Sequence, residues 1–155
     1  MKGKSNLIMT GSLGEVIKES AQAALSHIRS NADDLNINAD FFDTQDIHIH
    51  IPAGAIPKDG PSAGLTIGVA LLSLLTERPA KRDMAFTGEI TLSGRILPVG
   101  GIKEKLLAAR RAGIKTVVLP AKNEADVQYI PEQITRDLEI ILAGQFDEIV
   151  DKVLI

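Results

Sequence analysis

The stretch Asp59-Gly-Pro-Ser-Ala-Gly-Leu-Thr-Ile-Gly-Val-Ala-Leu-Leu-Ser-Leu-Leu-Thr76 decides how the rest of the chain must be arranged. From Pro61 it reads as a helix that is small and apolar nearly all round, carrying Ala63, Gly64, Gly68, Val69, Ala70, Leu71, Leu72, Leu74 and Leu75. A helix without a wide polar face is buried on most sides. Its small residues let other backbone come close. Pro61 suits the first helical turn, where its missing N–H costs nothing. The run is shorter than the ~20 residues needed to cross a bilayer, so this is a core helix.

Such a helix needs partners on either side in sequence. Downstream, Met84 to Thr91 reads as a strand, Ser93-Gly94 as a turn and Arg95 to Pro98 as the returning strand. Val99-Gly100-Gly101 leads into a helix over Ile102 to Ala112, with Gly113 where a C′ glycine ends it. Lys115 to Leu119 is a strand closed by Pro120. Short helical segments follow over 123–129 and 132–137, then a strand over 139–143 and a last helix over 146–154. Upstream, Asn6 to Met9 reads as a strand and Thr10-Gly11 as a turn. Ser12-Leu-Gly-Glu15 has capping-box spacing and predicts an amphipathic helix over 13–30. Residues 31–44 are polar and irregular. From Asp46 the period becomes two, with Ile47, Ile49 and Ile51 alternating with His48 and His50. Strands and helices mix without strict alternation, which predicts one two-layer α+β (mixed α/β) domain over residues 1–155.

Composition narrows the chemistry. The 155 residues include no cysteine, so no disulfide, thiolate metal site or cysteine nucleophile exists. Covalent chemistry falls to Ser, Thr, Lys or a carboxylate. Aromatics make 3% and the net charge is −3, so neither base-stacking platforms nor a global basic field points to nucleic acid. The first residues, Met1 to Asn6, lack the apolar segment of a signal peptide. The reading is a soluble, cytoplasmic domain that does not enter a membrane.

Several residues stand out. Ser62 follows Asp59-Gly60-Pro61 and opens the buried helix, where free N–H groups and the helix dipole favour negative charge. Such a serine is either a helix cap, with Asp59 beside it, or a nucleophile whose oxyanion the amides hold. In the helix after Gly101, Ile102, Lys105, Leu106 and Ala109 share one stripe, while Lys103 and Arg110 point elsewhere. Lys105 on an apolar stripe either snorkels or loses basicity by burial and serves as base to a serine. His48 and His50 share a strand face with Asp46; this is a solvated face, a weak metal site, or a base for Ser62. Thr87 is most simply a β-former, and Gly88 beside it signals close backbone approach or a bulge. No G-x-x-x-x-G-K-[ST] phosphate loop occurs.

Together these segments resemble the proteolytic domain of Lon, the ATP-dependent serine protease, and most of all its bacterial A-type form. Pro57-Lys-Asp-Gly-Pro-Ser-Ala-Gly64 looks like the family's nucleophile motif. Thr87-Gly-Glu-Ile-Thr-Leu-Ser-Gly94, then Leu97-Pro-Val-Gly-Gly-Ile-Lys-Glu-Lys-Leu-Leu-Ala108, looks like its second block. Thr10 to Ser20, His48-Ile-His50 and Gly113 to Pro120 also match, in order, over nearly the whole chain.

The resemblance implies a Ser-Lys dyad of Ser62 and Lys105, the second lysine of Lys-Glu-Lys. Thr87 would orient the lysine and Asp59 would shape the nucleophile loop. His48 and His50 become structural or substrate-side residues. It also implies the ribosomal protein S5 domain 2-like fold, homo-hexameric rings, and unfolded or damaged polypeptides as substrates. An AAA+ ATPase module, holding ATP and magnesium, would feed them in; this chain itself would need no cofactor or metal. The family's domain usually begins with further strands and follows that module; the chain contains neither, and reads as the cutting end of a larger machine. Two other readings keep the same residues: a noncatalytic assembly module of this fold, and a metal-dependent hydrolase using His48 and His50.

Overall fold

The computed structural model describes residues 1–52 and 60–155. Strand β1 (Leu7–Gly11) and strand β2 (Ile47–Ile51) pair in parallel, Leu7 opposite Ile47 and Gly11 opposite Ile51. Parallel strands need a long crossover, and helix α1 (Glu15–Ser30) forms it. In β2 the alternation holds: Ile47, Ile49 and Ile51 pack on the core, while His48 and His50 are exposed. The capping box is a correction. Helix α1 starts at Glu15 behind Gly14 and has no side-chain cap hydrogen bond. Ser12 stands two residues too early, in a bend, and Glu15 pairs forward with Lys18 at 3.0 Å. The segment expected to be irregular contains one short helix, α2 (Phe41–Thr44), which buries Phe42.

The central helix forms as its composition requires. Pro61–Ala63 makes a 3-10 turn, and α3 (Gly64–Thr76) continues it. α3 packs against α1. Its glycines admit neighbours: a Cβ at Gly68 would lie 2.9 Å from the Phe146 ring.

Beyond α3 come β3 (Met84–Phe86), β4 (Glu89–Ile90), β5 (Ile96–Leu97), α4 (Ile102–Arg111) and β6 (Thr116–Pro120). Then follow α5 (Glu124–Gln128), α6 (Glu132–Thr135) and β7 (Glu139–Ala143). The expected last helix is a 3-10 turn, Phe146–Ile149, running into α7 (Val150–Val153). β3, β6 and β7 form a parallel sheet in the order β3-β6-β7, and β4 pairs antiparallel with β5. Gly113 follows α4 at φ +75°, a left-handed conformation that favours glycine there.

Two apolar clusters meet at β6. Val118 faces the main core with α1 and α3, whereas Val117 and Leu119 face a second core with Ile102, Leu106 and Ala109 of α4. The strand's alternation thus fixes α3 and α4 around one sheet. The fold is α+β, as expected. Among the described residues, no helix is long and apolar enough to cross a membrane.

One difference from expectation builds the site. The strand expected over 84–91 breaks after Phe86 and resumes as β4. Thr87 and Gly88 leave the ladder because their backbones bond elsewhere: Thr87 N–H to Val118 O at 3.2 Å, and Gly88 N–H to Ser62 O at 3.0 Å.

Candidate active site

The break between β3 and β4 is stitched to the start of α3. Besides the Gly88–Ser62 bond, Leu65 N–H donates to Gly88 O at 3.0 Å. One of the four orphan amides of the helix is thereby satisfied. Gly88 alone permits this approach: a Cβ there would meet Ile96 Cγ2 at 2.9 Å, with Leu65 Cδ2 and Pro120 Cγ at 3.4 Å. Thr66 Oγ1 adds a bond to Phe86 O at 3.0 Å. Ser62 is held half-buried in the 3-10 turn by these contacts.

Lys105 enters from the other side. Ile102, Leu106 and Ala109 bury one stripe of α4, and Lys105 lies at its edge, half-buried, while Lys103 is exposed. The Lys105 ammonium donates to Thr87 Oγ1 at 2.9 Å. Thr87 is itself buried, and its hydroxyl donates in turn to Ser62 O at 3.5 Å. No described carboxylate pairs with Lys105. Desolvation therefore acts without a countercharge and pushes its pKa below the ordinary lysine range.

The entry to α4 is pinned separately. The buried Asn123 accepts from Val99 N–H at 3.0 Å and donates to Val99 O at 2.9 Å and to Asp126 Oδ2 at 2.7 Å. This side chain fixes the turn that aims α4, and with it Lys105. Thr66, which lines the cleft, and Asn123, which pins the turn ahead of α4, are not marked by sequence pattern as Ser62 and Lys105 are. Asn123 carried a faint signal, a cap-type residue after Pro120 at a short helix. Thr66 carried none within an apolar helix.

Ser62, Thr66, Thr87 and Lys105 line one cleft of about 450 Å³, walled by Ala108 and Ala112. The structure thus brings three of the four residues singled out from sequence to one place; Asp59 lies outside the described residues. A larger cavity of about 860 Å³ opens at the start of β3 and β6. It is lined by mixed charges such as Lys81, Asp83 and Glu139, with no serine. The chemistry favours the smaller cleft. His48 and His50 are not in it: His48 Nε2 and His50 Nδ1 each bond Thr10 Oγ1 at 2.8 Å. Among the described residues, no group of three His, Asp or Glu is disposed to hold a metal ion.

A helix-opening serine and a lysine of reduced basicity thus line one cleft of an α+β domain. In comparison with known proteins, the family Lon protease (S16) C-terminal proteolytic domain matches residues 1–155. The chain belongs to this family of serine peptidases. It is 54% identical over all of its length to Lon protease of Desulfatibacillum aliphaticivorans, covering 19% of that protein. It is 58% identical over 97% of its length to Lon protease of Syntrophus aciditrophicus, again covering 19%. With Lon protease of Dictyoglomus thermophilum the identity is 51% over the whole chain, covering 20% of the relative. The chain thus spans about a fifth of the length of the curated relatives it matches.

Proposed function

We propose that this domain is a serine endopeptidase that cleaves unfolded polypeptides through a dyad of Ser62 and Lys105. The observation that carries the reading is the Lys105–Thr87 hydrogen bond at 2.9 Å in the cleft that Ser62 also lines. It anchors a poorly solvated amine next to the start of α3.

Neutral Lys105 takes the proton of Ser62 Oγ. The alkoxide attacks the scissile carbonyl carbon, and the carbonyl π electrons move to oxygen. The amides of Gly64 and Leu65 are already engaged by Pro61 O and Gly88 O. Oxyanion stabilisation therefore falls to amides nearer the serine. The Lys105 ammonium gives its proton to the departing amine as the C–N bond breaks, leaving an ester on Ser62. Water, deprotonated by the same amine, attacks the ester, and the serine recovers its proton. Thr87 holds the amine in place through each proton transfer, and the role proposed for Asp59 is to shape the nucleophile loop.

In the longer protein an AAA+ module with ATP and magnesium unfolds the substrate and delivers it. Assembly into a cytoplasmic hexamer encloses the sites. The test is peptide turnover by variants of the full-length protein. Ser62→Ala and Lys105→Ala abolish cleavage with unchanged thermal stability, whereas Lys103→Ala retains it. Substantial cleavage by Ser62→Ala removes the dyad. A fully folded, assembled protein that turns over no peptide favours an assembly module instead.

A further inference from the structure

We infer that Thr66 is a positioning residue for the cleavage reaction: its hydroxyl clamps the peptide unit ahead of Thr87 and thereby sets where the Lys105 amine stands. The inference rests on the dyad reading and adds to it a residue that acts through Thr87.

The Phe86–Thr87 peptide is gripped from both sides. A trans peptide points its C=O and its N–H in opposite directions. Thr87 N–H donates to Val118 O of β6 at 3.2 Å. The Phe86 carbonyl of the same unit therefore points away from β6, toward α3, where Thr66 Oγ1 donates to it at 3.0 Å. A planar unit held at both ends does not rotate about the chain axis. The Thr87 Cα follows directly, so the direction of its side chain is set with it.

The next unit is held from the same helix. Gly88 N–H donates to Ser62 O at 3.0 Å. Ser62 and Thr66 stand four residues apart, so they lie on one face. Thr87 is thus suspended between two anchors on the element that also carries the nucleophile. Its hydroxyl receives the Lys105 ammonium at 2.9 Å. A shift of Thr87 at either anchor moves the amine relative to Ser62. Val118 O, Gly88 N–H and Ser62 O are backbone groups, which any sequence of this fold supplies. Thr66 alone among these anchors contributes a side chain.

The bond is not the default for a helical threonine. Hydroxyls within helices ordinarily turn back to the carbonyl four residues earlier. Ser20, Ser30, Thr44 and Thr76 do so, at 2.9, 2.9, 2.7 and 2.7 Å. For Thr66 that carbonyl is Ser62 O, which already accepts from Gly88 N–H and from Thr87 Oγ1. Thr66 reaches across to β3 instead. It lines the same cleft as Ser62, Thr87 and Lys105, so the clamp lies within the site.

The test uses the full-length protein and a peptide substrate. Thr66→Val keeps the branched shape and deletes the donor. It lowers kcat ~10-fold and leaves KM within about twofold, since a base slightly out of place loses rate rather than binding. Thr66→Ser keeps the donor and restores kcat to within about twofold. In a Thr87→Val background, Thr66→Val lowers kcat by less than about twofold, because the residue through which it acts is already disabled. Thermal unfolding is followed for each variant, and rates are taken well below the midpoint. Thr66 is an exposed residue, so valine is accommodated there. An unchanged kcat in Thr66→Val, a loss that serine does not restore, or a full second ~10-fold loss on top of Thr87→Val overturns the inference. A rise in KM alone also overturns it, because Thr66 then acts as a substrate contact. Each of these outcomes leaves cleavage dependent on Ser62. Failure of the dyad reading shows separately, as cleavage that survives Ser62→Ala or Lys105→Ala.

Discussion

Lys105 Nζ donates to Thr87 Oγ1 at 2.9 Å, and this is the polar contact that fixes the end of its side chain. The lysine comes from α4 and the threonine from the break between β3 and β4, so the bond joins the two halves of the cleft. A hydroxyl neutralises no charge, unlike a carboxylate. It therefore holds the amine in position and leaves burial free to depress its basicity.

Thr87→Val keeps the shape of the buried side chain and deletes the acceptor. We expect kcat for peptide cleavage to fall ~10- to 100-fold, since a mispositioned base loses most of its general-base contribution. The charged form of Lys105 loses a hydrogen bond, so the alkaline-rising limb of the rate profile moves to lower pH even as the plateau falls. Thr87→Ser restores both. Stopped assays across pH on the three proteins check this.

Lys105 must be neutral to act, and its pKa lies below the ordinary lysine range because of desolvation. Cleavage therefore rises with pH as this group loses its proton, and falls as pH drops through its folded-state value. The limb titrates below free lysine (~10.4). A profile governed by a single group near pH ~6.5, the ordinary range of an imidazole, contradicts a lysine base.

Gly88→Ala places a methyl 2.9 Å from Ile96 Cγ2 with Leu65 and Pro120 close behind. Relief requires moving backbone that bonds Ser62 O and Leu65 N. We expect a loss of ~1–3 kcal/mol in urea unfolding, the range for overpacking a filled core. Turnover should fall by more than the unfolded fraction explains.

Asn123→Leu removes three hydrogen bonds that hold the turn ahead of α4. It leaves the backbone groups of Val99 unpaired, costing ~2–3 kcal/mol. Because Asn123 touches no substrate, kcat falls with KM little changed, and hydrogen exchange rises at the start of α4.

The two main residues of the candidate site carry local signals, but these leave a helix cap and a snorkelling lysine open, and only the family resemblance decides between the readings. Ser62 sits at a loop-to-helix junction marked by Pro61, and Lys105 breaks an apolar stripe. What local pattern could not show was their meeting. That depends on Thr87-Gly88 leaving the strand, and the reason lies outside the segment, in Ser62 O and Val118 O. Gly88 alone hinted at close approach. Ser12 misled because capping-box spacing is common, whereas the cap needs extended backbone immediately before the helix, and Gly14 holds that place. His48 and His50 were legible as one strand face, but only the fold shows that both bond Thr10 Oγ1 rather than reach the cleft.

The dyad is tested most directly by covalent labelling with a fluorophosphonate, which reacts with an activated serine, followed by peptide mapping of the full-length protein. The account predicts one adduct, on Ser62, that disappears in Lys105→Ala and persists in Lys103→Ala. An adduct on another residue, or undiminished labelling of Ser62 without Lys105, contradicts it.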